Sequence, residues 1–272
     1  CWNTAGITDM KNAFSGKSFN DPLECWNVSQ VTTMEKMFTY ASKFNQPIDS
    51  WDVSQVEDME GMFRSATYFN RPIDTWNVSQ VKYMEDMFSD ATYFNQPIDS
   101  WDVSQVESME FMFYVAPSFN QPIDSWDVSQ VERMEFMFNG ATSFNQPIDS
   151  WDVSKVEDMD SMFGGAINFN QCLSTWAEKT SDTVDTTRML SATKCPNGIN
   201  SPNATIGPWC QDNTEECFAP GFEPSQQPSN KPTDVPTKPP TNAPTNSQTT
   251  KGQKKKSIKK TKKQDKKKSK KM

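Results

Sequence analysis

Tryptophan recurs at Trp26, Trp51, Trp76, Trp101, Trp126, Trp151 and Trp176 with an unbroken spacing of 25 residues, and Trp2 lies 24 before the first. Other large residues keep the same register: Met59, Met62 and Phe63 in one unit become Met84, Met87 and Phe88 in the next, and Phe69 becomes Phe94. A period of this length marks a stacked array, because each unit can bury its apolar face only against its neighbours. An enzyme needs its special residues once, whereas a stack needs the same residues at every level. Such an array is quasi-one-dimensional, so the 272 residues do not set a domain count in the usual way.

One unit reads "WDVSQVEDMEGMFRSATYFNRPIDT". The recurring "IDSWDV" alternates apolar with polar residues and is rich in β-branched and aromatic side chains, which suits a short strand. "SQVE" has the form of a capping box, with Ser54 and Glu57 as its two ends, and Val56, Met59, Phe63 and Ala66 follow at helical spacing. A second reading places a short strand on "VEDM" and confines the helical turn to "EGMFRSA". Either way each coil is expected to hold a short parallel strand and a helical turn, an α/β repeat solenoid. The column Asn45, Asn70, Asn95, Asn120 and Asn145 is expected to satisfy backbone groups of the adjacent coil with its side-chain amides.

The register divides the chain. Residues 1–175 hold seven coils, residues 176–222 a degenerate, disulfide-linked cap, residues 223–250 a Pro/Thr-rich disordered stalk, and residues 251–272 a Lys-rich disordered tail. Cys1 and Cys25 each precede a Trp in consecutive coils, where parallel neighbours about 4.8 Å apart can be bridged. Cys172, Cys195, Cys210 and Cys217 cluster where the repeat decays and lack the paired CxxC spacing of a zinc site. They permit three pairings, of which Cys172 with Cys195 and Cys210 with Cys217 is favoured. Six cysteines used in this way indicate an oxidising compartment, hence an extracellular or cell-surface location. No apolar run is long enough to span a membrane.

Charge is split between these parts. Residues 251–272 carry 13 Lys and one Asp, a net +12, while the rest carries 14 basic and 34 acidic residues, a net −20. The tail has charge for an anionic polymer or surface but no aromatic platform for bases, so nucleic acid is disfavoured as a partner. The stalk, with Pro at every fourth position from Pro224 to Pro244, suits an extended linker and resembles the O-glycosylated stalks of wall-associated proteins.

The chain contains no His, which removes the commonest general base and metal ligand, and no enzyme activity or cofactor is expected. Its carboxylates are themselves periodic, with Asp49, Asp74, Asp99, Asp124 and Asp149 in one column and Glu60, Glu85, Glu110 and Glu135 in another. Repetition points to a solvated surface rather than an active site. Such columns could attract Ca²⁺, yet no loop matches a Ca²⁺ signature, and no metal site is assigned.

Partner-binding candidates are the positions that the scaffold does not dictate. The tenth position after each Trp reads Lys36, Gly61, Asp86, Phe111, Phe136 and Ser161. Phe111 and Phe136, with Tyr114 nearby, form an apolar patch if that position faces solvent, and otherwise extend the core. Tyr68 and Tyr93 make a second pair, facing a ligand or covering a turn. Asn27, Asn77 and Asn203 are N-glycosylation sequons. The first two stand where Asp52 or Asp102 stands in other coils, so a backbone role comes first there, and Asn203 is the favoured acceptor.

The stretch "FNQPIDSWDVSQVEDMEGMF" resembles the 25-residue repeat of BspA-like leucine-rich-repeat surface proteins, which runs through Trp-Asp-x-Ser, Val-x-x-Met, Met-Phe and Phe-Asn. The resemblance covers residues 1 to about 176. It implies a right-handed strand-and-turn solenoid on a cell surface, an adhesion or interaction role with an extracellular protein or glycan as partner, and no catalytic residues. The structural alternative is a cell-wall or matrix component that binds mineral, polysaccharide or itself through its acidic ladders and lysine tail.

Overall fold

A computed structural model describes residues 3–196, 198–207, 209 and 210. The stalk, the lysine tail, Cys1 and Cys217 lie outside the described residues. Consecutive 25-residue units lie against one another and are joined by isolated parallel bridges running Asp9, Thr33, Asp58, Tyr83, Ser108, Arg133, Asp158, Asp185. The bridging residue falls in the "VEDM" segment rather than in "IDSWDV", where Asp49 and Ser50 instead form a turn.

The backbone between Met34 and Ala41 explains the geometry. The N–H groups of Met34, Lys36, Phe38 and Tyr40 donate forward to the carbonyls of Asp58, Glu60, Met62 and Arg64 at 2.7 to 2.9 Å. The interleaved N–H groups of Met37, Thr39 and Ala41 close three-residue turns within the unit. Left-handed backbone at Lys36 (φ 55°) and Tyr40 (φ 57°) turns alternate amides outward, so half of the donors bond the neighbouring unit. An α-helix would keep every donor for its own turn. The only helix among the described residues is therefore α1 (Trp176–Lys179), beyond the last regular unit. "SQVE" makes no capping box. The Ser54 N–H donates to Asp52 Oδ1 at 3.1 Å in an Asx turn, repeated at Asp102, Asp127 and Asp152.

The apolar columns fill the interior. Val56, Met59, Met62, Phe63, Ala66, Phe69 and Ile73 are fully buried, as are their counterparts in the flanking units. Phe63, Phe88 and Phe113 stack along the array at 5.7 Å, while Phe69, Phe94 and Phe119 form a parallel stack at 6.1 Å. Within the apolar columns, tryptophan carries a ring N–H that must be satisfied. Trp76 Nε1 donates to the Ile48 carbonyl of the preceding unit at 3.0 Å, as Trp101 does to Ile73. The asparagines form the expected ladder: Asn70 N–H donates to Asn45 Oδ1, Asn95 N–H to Asn70 Oδ1 and Asn120 N–H to Asn95 Oδ1, all near 3.0 Å.

Beyond α1 the chain covers the last unit. Trp209 is buried, meets Trp176 edge-on at 6.4 Å and pairs antiparallel with Leu173. The favoured pairing of cysteines is corrected here, because Cys195 bonds Cys210, with Cα atoms 4.7 Å apart. The reason is a shared neighbour in the last unit: Lys194 N–H donates to Phe169 O, and Trp209 pairs antiparallel with Leu173, so residues 195 and 210 are both held against the 169–173 stretch. Cys25 and Cys172 are also disulfide-bonded, and neither pairs with Cys195 or Cys210. The expected partner of Cys25 is Cys1, which is outside the described residues.

Candidate functional site

The turn that follows each bridge carries the residues that vary. Its first left-handed position holds Lys36 (φ 55°), Gly61 (57°), Asp86 (57°), Phe111 (56°), Phe136 (54°) and Ser161 (54°). The backbone is constant and only the side chain changes. Tyr40, Ser65, Asp90 and Val115 occupy the second left-handed position, which Gly140 and Gly165 fill in later units. A non-glycine residue there costs about 1–2 kcal/mol, and a β-branched one such as Val115 is a rare occupant.

In the early units this face is ionic. Lys36 Nζ lies 2.9 Å from Glu35 and 2.6 Å from Glu60 of the next unit, and Arg64 lies 3.0 Å from Asp86. Lys11 pairs with Glu35 in the same manner. Hydrogen bonds to Glu60 and then Glu35 raise the Lys36 ammonium above its ordinary value. Burial raises the carboxyls of Asp58, Glu85 and Asp86, with neighbouring carboxylates adding to the effect at all three and Arg64 opposing it at Asp86. Glu85 keeps one buried carboxylate oxygen without a hydrogen-bond partner. Among the described residues no group of three or more acidic or Cys side chains is arranged to hold a metal ion.

In the later units the same face becomes aromatic. Phe111 and Phe136 stack at 4.9 Å with planes 4° apart, and Tyr114 meets them edge-on at 5.5 and 6.3 Å. All three are half-buried and stand outside the core cluster, so the position faces solvent rather than extending the core. Val115, 38% exposed, adjoins them in sequence and was not evident from the repeat; the signal is the departure of "YVA" from "RSA", "SDA" and "NGA" in other units. Arg133 bridges Glu110 at 3.0 Å and Glu135 at 3.3 Å beside this cluster.

Tyr68 and Tyr93 stack at 5.3 Å and are 55% and 51% exposed, on the outer side of the turn before Phe69 and Phe94. They form a second aromatic surface apart from the Phe111 turn in sequence register. The sequon residues Asn27, Asn77 and Asn203 are exposed, and each uses Oδ1 to accept a backbone N–H two residues on. Asn203 also accepts the Thr205 hydroxyl at 3.1 Å. The Lys36–Glu60 and Arg64–Asp86 pairs cannot be read from the columns, because their partners sit 24 and 22 positions apart in different columns.

The repeating chemistry agrees with a family assignment. The family described as "Mycoplasma protein of unknown function, DUF285" matches residues 1–101 and again residues 89–201. The chain belongs to this repeat family. No curated protein and no solved structure matches it.

Proposed function

We propose that the chain is a secreted or surface-displayed repeat protein, a right-handed leucine-rich-repeat-like solenoid of the BspA type, that acts as a non-catalytic adhesion or protein-interaction module. The observation that carries this reading is the cluster of Phe111, Tyr114 and Phe136. It lies outside the core, and its two phenylalanines stand on left-handed backbone that favours glycine. Bulky side chains kept at strained, solvent-facing positions fit contact with a partner. The disulfides support an extracellular setting, since every cysteine among the described residues is bonded.

The test is binding of the full-length protein, and of a double variant Phe111→Ser, Phe136→Ser, to an array of extracellular proteins and glycans at physiological salt. Saturable binding that the variant loses supports the module. Binding that is insensitive to the variant but collapses with salt supports the matrix reading, which the exposed acidic column Glu107, Glu132 and Glu157 favours.

A further inference from the structure

The aromatic cluster has a charged frame, and that frame selects a partner. Phe111 and Phe136 present a nearly coplanar pair of rings, with Tyr114 as a wall and Val115 following it in the chain. Glu110 and Glu135 immediately precede the two phenylalanines, and Asp160 holds the same position one unit on. Glu107, Glu132 and Glu157, exposed and joined through their backbones at 2.8 and 2.9 Å, stand one residue before the bridges that lead into these turns. Against these six carboxylates stand Arg133, shared by Glu110 and Glu135, and Arg188, held by Asp160. No salt bridge involves Glu107, Glu132 or Glu157 among the described residues; the cation that faces the column is Lys82, one unit before Glu107 and bound to its backbone at 3.1 Å, and its ammonium is taken by Glu57.

We propose that the Phe111–Tyr114–Phe136 cluster docks a basic protein segment that carries an apolar or aromatic anchor. The anchor covers the rings, and the flanking Lys or Arg side chains answer the Glu107–Glu132–Glu157 column, which makes no salt bridge of its own. Arg133 limits the choice further, because it already occupies the carboxylates nearest the rings, leaving the outer column for the partner's charges. An anionic glycan or an acidic membrane surface meets the wrong sign of charge here. This inference rests on the interaction reading above and names the chemistry of the partner.

The experiment titrates the full chain with three short synthetic peptides. One places a Trp-Leu anchor between Lys and Arg residues, one replaces each base with Glu, and one keeps the bases but replaces the anchor with Ser. The first is expected to bind at least about tenfold more tightly than either other peptide, a difference that shrinks against the Glu peptide as salt is raised. Phe111→Ser with Phe136→Ser removes the advantage over the Ser-anchored peptide. Glu107→Gln with Glu132→Gln removes the advantage over the Glu peptide. Phe111→Gly with Phe136→Gly, which suits the left-handed backbone, repeats the first result in a fold under less strain. Equal binding of the first and third peptides, or binding unchanged in both Phe variants, overturns the proposal. If the protein array still shows binding that needs Phe111 and Phe136, the interaction reading survives that failure; if the array is also insensitive to them, both fall.

Discussion

The turns around Lys36, Gly61 and Asp86 and the turns around Phe111 and Phe136 run on one backbone, with φ between 54° and 57° throughout, yet they expose opposite chemistry. In the first group Lys36 and Arg64 tie adjacent units by ion pairs. In the second, two rings stack across adjacent units and Arg133 is left to serve both flanking glutamates. The interior beneath them is the same, since Met87 and Phe88 are as completely buried as Met112 and Phe113. The difference teaches that the scaffold fixes where a side chain points and leaves its chemistry free. A face of this kind can be rewritten without disturbing what holds it up.

The comparison is sharpest where the two regions should respond alike. Phe88→Ala and Phe113→Ala each remove a fully buried ring from a continuous stack, and each is expected to cost about 3–5 kcal/mol by urea denaturation. Costs that differ between the two by more than about 1 kcal/mol, the scale of an ordinary mutation, would mean that the outer face does shape the interior. Next in size, Asp52→Ala and Asp102→Ala each delete an Asx turn and are expected to cost about 1 kcal/mol, equally in both regions. The Ser54 hydrogen bonds lower the Asp52 pKa, so its contribution is present above the ordinary carboxylate range and is lost as pH falls through the lowered value. The loss should appear as a steeper acid limb in the wild type than in Asp52→Ala.

Glu85→Gln tests the ionic region alone. Burial disfavours the charged form of Glu85, so its contribution falls as pH rises from the ordinary glutamate value through the raised one. The variant should be more stable at neutral pH by about 0.5 kcal/mol, after allowance for solvent screening, and the gain should vanish in acid. A variant less stable at neutral pH would refute that account. Smallest of all, Phe111→Gly with Phe136→Gly should change stability by less than about 1 kcal/mol, because relief of left-handed strain offsets the lost ring contact. A cost near that of Phe113→Ala would show that the rings belong to the core after all.

The columns made much of this legible in advance. A residue that recurs at every level must face the neighbouring level, and Trp76, Phe69 and Asn70 do so as their spacing requires. The turn itself was less legible. Val56, Met59, Phe63 and Ala66 have the spacing of a helical face, but a chain advancing in three-residue turns buries the same positions. Only the left-handed backbone at Gly61 and Ser65 separates the two, and Ser65 gives no sign of it in sequence. The aromatic patch was visible as two departures from the repeat, whereas its side of the surface depended on that turn. The Cys195–Cys210 bond was hidden for a different reason: the irregular segment between them has no register from which a return path can be read.

The alternating amides of the turn also give the array a polarity. In the unit that begins at Trp26 four N–H groups point toward the following unit, and against them Glu57 and Tyr68 donate back to Thr32 and Ser42. The net direction is the same at every level, so amide dipoles add along the stacking axis. Acceptors accumulate toward the first unit, opposite to the sense of an α-helix, whose first turn presents donors. Two arrays meeting acceptor face to acceptor face would set carbonyl against carbonyl and gain no backbone bonds. Growth by backbone pairing would have to run head to tail, and the buried Trp209 and the Cys195–Cys210 bridge cover the tail that such growth requires.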